Sequence, residues 1–199
     1  MTTSPKISFC IPIHNMENGA FFLWRAVQSI MSQTFKDYEI IITQEGSMPV
    51  NTNAGIKKAR GELIKILYMD DYLAHPNALQ EIVDHFKGQW LVSGCLHDED
   101  GVLKSPHYPS WNDSIHLGQN TIGSPSVLTI RNDGHLLFDE TLSFLLDCDL
   151  YKRYYKQYGP PTILKDLNVA IGLHAGQTSN LMPQEEKEKE YKYIMTKYE

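Results

Sequence analysis

Cysteine is scarce in this chain. Cys10, Cys95 and Cys148 are odd in number and far apart, which excludes a disulfide framework and leaves no thiol spacing of the kind that holds zinc. Such usage is expected of a protein kept in a reducing compartment, so a cytoplasmic location is the expectation. A broad basic field is missing too. Lys and Arg number 18 against 24 Asp and Glu, a formal charge of −6 with the signs interspersed, so nucleic acid is not an expected partner. No apolar run follows Lys6 or occurs elsewhere at spanning length, so neither a secretory signal nor a transmembrane segment is expected. The first apolar segment ends in Pro-Ile-His-Asn rather than Gly-x-Gly-x-x-Gly, which argues against a dinucleotide-dependent dehydrogenase or a methyltransferase. Internal repeats are absent, and the one compositionally biased stretch is the charged C-terminus.

What is present is an ordinary globular composition, 42% hydrophobic and 21% charged over 199 residues, sufficient for one domain with a real core. Strand-like and helix-like segments alternate, the pattern of an α/β protein with a mostly parallel central sheet and helices on its faces. Ile7–Ile13 reads as a strand, Ala20–Ser32 as an amphipathic helix and Tyr38–Thr43 as a second strand, together a βαβ unit. Thr52–Ala59 is a short helix, Gly61 a break and Leu63–Met69 a buried-type strand. A helix over Asn77–Phe86 follows Pro76, and Trp90–Leu96 is a strand entering a hairpin that turns at Asp100-Gly101 and returns over Val102–Lys104. The acids of that hairpin read as a solvated turn. Residues 105–123, rich in Pro, His, Trp and Gly, form a long loop; Pro125–Arg131 is a strand, Leu146–Tyr158 a helix and Thr162–Val169 a strand. Residues 184–199 pair Glu185 with Lys189 and Glu188 with Lys192 at helical spacing, which predicts a solvated helix or frayed tail beyond a main domain of residues 1–183.

Two adjacent carboxylates, Asp70 and Asp71, fall at the C-terminal end of the buried Leu63–Met69 run, where open α/β sheets bind ligands. Hard oxygen donors there suit Mn²⁺ or Mg²⁺ carrying a diphosphate; a turn or helix cap uses the same residues without chemistry. Several segments in order then resemble the family 2 glycosyltransferases, inverting enzymes of the GT-A fold: ISFCIPIHNMEN from Ile7, SIMSQTFKDYEIII from Ser29, the stretch Asn53–Asp71, GSPSVLTIR from Gly123, FDETLSFLLDCDL from Phe138 and HAGQTSN from His174. The resemblance spans roughly residues 6–179.

It implies a Rossmann-like three-layer α/β/α sandwich that moves a sugar from a nucleotide-diphosphate donor, UDP-linked, to a hydroxyl of a glycan, lipid-linked or protein acceptor. By the same resemblance Asp147 is the base that takes the acceptor proton, and Asp70, Asp71 and His174 are the metal side. Pro12, His14, Asn15, Glu17, Gln44 and Glu45 frame the nucleotide, while Asn53, Lys57 and Arg60 lie near the donor hydroxyls or phosphates. Three positions depart from the family pattern. Tyr68 replaces the first acid of Asp-x-Asp, Gln44-Glu45-Gly46-Ser47 stands for Asp-Asp-Gly-Ser, and Leu146 stands where an acid often precedes the base. A nucleotide-sugar-binding or glycan-binding scaffold without turnover is the alternative those departures favour. His107, Tyr108 and Trp111 form either an acceptor platform or a cover for the core.

Overall fold

In the computed structural model, which describes residues 4–199, the N-terminal βαβ unit forms as the sequence predicts. β1 (Ile7–Pro12) is buried at every position, because parallel neighbours flank it: β2 (Tyr38–Thr43) on one side and β3 (Leu63–Ile66) on the other. α1 (Gly19–Met31) connects β1 to β2. α2 (Met48–Lys58) packs on β1 and β2 and starts at Met48 rather than Thr52, with Pro49 in the first turn, where its missing N–H is not needed.

The remaining strands are β4 (Tyr72–Leu73), β5 (Trp90–Glu99), β6 (Val102–His107), β7 (Leu128–Arg131) and β8 (Thr162–Leu173). One sheet runs β2-β1-β3-β7-β5-β8-β4, with β6 beside β5. The pairings orient β1, β2, β3, β5 and β8 one way and β4, β6 and β7 the other, so the sheet is mostly parallel. α3 (Ala78–His85) lies against β8, and α4 (Leu146–Tyr158) starts at its predicted residue.

Other boundaries also differ from the sequence reading. β3 stops at Ile66 instead of Met69, because the chain turns and the Asp71 N–H donates to the Tyr68 carbonyl at 3.0 Å. The strand alternation that would set Asp70 and Asp71 on opposite faces therefore does not apply. β6 continues to His107, and β8 to Leu173 instead of Val169. Residues 125–127 make a single 3₁₀ turn, so only Leu128–Arg131 of that segment is strand.

The C-terminal segment forms α6 (Gln184–Tyr198) after a one-turn helix, α5 (Thr178–Leu181). α6 is not simply a solvated tail. Ile194 is fully buried, Lys197 binds Asp139 at 2.6 Å and Asp149 at 2.8 Å, and the Tyr198 hydroxyl donates to Asp149 at 2.8 Å. Glu190 accepts from the backbone N–H groups of Ser143, Phe144 and Leu145 at 2.8, 2.9 and 2.9 Å, the turn that leads into α4. Glu190, Ile194, Lys197 and Tyr198 share one helical face, but only one of them is aliphatic, so hydrophobic periodicity is blind to it.

Candidate active site

A cavity of about 420 Å³ opens at the C-terminal ends of β1, β3 and β8. Pro12 and His14 line it from β1, Tyr68, Asp70 and Asp71 from the turn after β3, His174 from beyond β8, and Asp147 from the first turn of α4. The expected base and the expected acid-histidine side thus meet in one space.

Asp70 and His174 are in direct contact, Oδ2 to Nε2 at 2.9 Å. Two elements hold this pair. Phe22 of α1 stacks on the His174 ring at 5.3 Å between centroids, and Arg25 donates to the Asp70 carbonyl at 2.7 Å while its other amino group binds the buried Asp98 at 2.5 Å. Gly172 is required at its position, since a Cβ there would stand 2.4 Å from the Asp70 carbonyl oxygen. Asp71, expected beside Asp70, is 2% exposed and its oxygens are engaged: Oδ1 accepts from the Gly172 N–H at 2.9 Å and Oδ2 from the Ser124 hydroxyl at 3.4 Å. Burial, reinforced by the neighbouring Asp70 charge, pushes the Asp71 carboxyl well above the usual carboxylate range. Lys65 lies fully buried beneath it, its ammonium donating to the Ser126 and Leu128 carbonyls, and burial drives its pKa downward.

Asp147 sits just inside the N-terminus of α4. Its Oδ1 accepts from the Cys148 N–H at 2.7 Å and its Oδ2 from the Asn120 amide at 2.8 Å. Burial pushes the carboxyl up to about 6, and the two donors restrain that rise. Asn120 is itself fixed, giving to the Gly123 carbonyl and accepting from the Ile122 and Gly123 N–H groups. It lies in the long loop, where sequence gave no hint of a partner.

At the end of β1, Asn51 joins two segments: its amide donates to the Ile13 carbonyl at 2.8 Å and its oxygen accepts from the Glu45 N–H at 3.0 Å. Asn51 and Gly46 line the cavity. Gln44 donates to Asn15 at 3.3 Å and Glu45 binds Lys58 at 2.6 Å, and none of Asn15, Glu17, Gln44 and Glu45, all exposed, lines the cavity they were expected to frame. Asn53 is also set apart, because its amide is spent on the Phe138 backbone and on Glu140. Lys57 is exposed on α2, and Arg60 pairs with Glu39. Trp111 stacks on Tyr155 at 3.8 Å, and none of His107, Tyr108 and Trp111 lines the cavity. Among the described residues no three His, Cys, Asp or Glu side chains are grouped so as to hold a metal ion, so any ion here would rely on Asp70, His174 and atoms brought by its ligand.

Residues 8–93 match the model of Glycosyl transferase family 2. Over that span, 86 of its 199 residues, the chain is similar to that family. The match includes Asp70 and Asp71 and ends before Asp147 and His174, whose placement rests on the geometry above. An uncharacterized glycosyltransferase of Rickettsia prowazekii (strain Madrid E) is 26% identical over 89% of this chain and 67% of its own length. A second, from Rickettsia typhi, is 26% identical over 90% of this chain and 67% of its own. The crystal structure of S. aureus TarS 1-349 in complex with UDP-GlcNAc aligns with a TM-score of 0.66 at 14% identity, covering 96% of this chain and 66% of that one. These structural likenesses establish the GT-A fold for this chain, which spans 39% to 66% of the TarS chains. Among its described residues no helix is long and apolar enough to cross a membrane.

Proposed function

We propose that this protein transfers a sugar from a UDP-sugar donor to an acceptor hydroxyl with inversion at the anomeric carbon. The observation that carries this reading is the single cavity shared by Asp147, the Asp70–His174 pair and the Pro12–His14 end of β1. The nucleotide lies against Pro12, His14 and Gly46, with Asn51 holding the two segments that frame it. Asp147, ionised, accepts the acceptor's proton as the hydroxyl oxygen bonds to the anomeric carbon; the bond from that carbon to the diphosphate breaks, and its electron pair leaves with the UDP. Asp70 and His174 stand on the leaving-group side. That donor set suits Mn²⁺ or Mg²⁺, which needs few protein ligands when phosphate oxygens and water complete its shell. Such an ion would neutralise charge on the departing diphosphate. The three buried free thiols favour a cytoplasmic setting for this reaction.

Calorimetric titration with UDP and a panel of UDP-sugars, with and without Mn²⁺, followed by a donor-hydrolysis assay, tests the reading. Metal-dependent binding with slow hydrolysis is the expected result, and absence of any UDP binding sinks it. A second reading, a nucleotide-sugar-binding scaffold, draws on Tyr68, whose side chain fills the cavity wall at the position where the family carries an acid. Binding without turnover would select it.

A further inference from the structure

The long-loop aromatics do not reach the candidate base, so an acceptor must find its platform elsewhere. A second groove, about 760 Å³, adjoins the first: Ser143 and Thr178 line both. Ser143 stands four residues ahead of Asp147, so a molecule lying in this groove ends at the mouth of the cavity that holds the base. Its far wall is α6.

We propose that this groove, between residues 141–143 and the α5–α6 segment, holds a neutral saccharide acceptor. The inference rests on the sugar-transfer reading and names the acceptor class for it. Tyr193 is the platform. Its ring is 42% exposed in the groove, yet its orientation is fixed, because the hydroxyl donates to Asp139 at 2.7 Å and the Lys197 ammonium sits 5.4 Å from the ring centroid. A fixed aromatic face offers the C–H face of a pyranose apolar contact at little cost in side-chain entropy. Leu181, 68% exposed, and Met182 extend that apolar strip, and Glu186 and Lys189 supply polar partners for hydroxyls.

Charge separates a sugar from a phosphate-bearing acceptor. Lys189 is already paired with Glu186 at 2.9 Å and with Glu185 at 3.1 Å, and the Glu190 carboxylate is held by three backbone N–H groups. The groove therefore offers no unpaired cation to an anionic headgroup, whereas hydroxyls need none.

The test uses the full chain with saturating UDP, presented to immobilised neutral gluco-, galacto-, manno- and N-acetylglucosamine oligosaccharides and, in parallel, to vesicles containing polyprenyl phosphate. Leu181→Trp fills the groove from an exposed position and Tyr193→Ala removes the platform; UDP affinity within about twofold of the parent reports that each variant is folded. Capture on one or more oligosaccharides, weakened about tenfold or more in both variants, is expected. Capture that the variants leave unchanged, capture on the phosphate vesicles alone, or no capture by a protein that binds UDP overturns the groove assignment. Failure of the parent protein to bind UDP removes the sugar-transfer reading itself and is seen separately.

Discussion

Asp147 is held between two opposed influences: burial disfavours its ionised form, and the Cys148 N–H and Asn120 amide favour it, leaving the carboxyl at about 6. A base acts only when ionised, so the active fraction falls as pH drops through that value. Turnover is accordingly expected to show an acid limb near pH 6, half-maximal there and flat by about pH 8, in a pH–rate series at saturating donor. Asn120→Ala removes a donor to the charged form and so moves the limb to higher pH; an unmoved limb would detach Asn120 from the base. Asp147→Asn is expected to lower turnover by roughly 10²- to 10⁴-fold with UDP affinity little changed, since the lost group acts on the acceptor proton rather than on the nucleotide. Normal turnover in that variant would remove Asp147 from the mechanism.

At the scale of elements, the site depends on joints between segments distant in sequence. Gly172 lets β8 pass the Asp70 turn, so Gly172→Ala forces the Asp70 carbonyl, Arg25 and the Asp71 hydrogen bond apart. Loss of UDP binding at retained secondary structure, read by calorimetry and circular dichroism, is the expected outcome. Glu190 is a joint of another kind. Glu190→Ala leaves three N–H groups ahead of α4 without their carboxylate, a cost of about 2 kcal/mol that should lower Tm by roughly 4–8 °C in scanning calorimetry. A Tm equal to that of the parent would mean water replaces Glu190 freely. These joints explain what sequence could and could not show. The first βαβ unit, α3 and α4 announce themselves because their apolar periodicity is local. Asp70, Asp147 and His174 were legible through motif order, and they do gather. Asn51, Asn120, Phe22 and Arg25 were not, because each acts through a partner far along the chain and a lone polar or aromatic residue carries no period. β4 has two residues, too few for any pattern, and the docking face of α6 is written mainly in charged and phenolic side chains.

For the whole molecule, one cavity drawn from β1, the β3–β4 turn, α4 and the end of β8 means that a ligand seated there braces most of the sheet. At about 100 times its dissociation constant, UDP should stabilise the fold by about 2.7 kcal/mol, raising Tm by roughly 5–11 °C, and a thermal melt with and without nucleotide checks this. The Asp70–His174 and Asp71–Gly172 contacts join residues 104 and 101 positions apart. Loops of that size close late, after the nearby βαβ pairings that cost less chain entropy to form. The half of the cavity built on β1 and α2 can therefore assemble while its acidic half is still open. Recovery of UDP binding during refolding should follow the slowest kinetic phase, after secondary structure has returned, which makes ligand binding a reporter of the final closure of the chain.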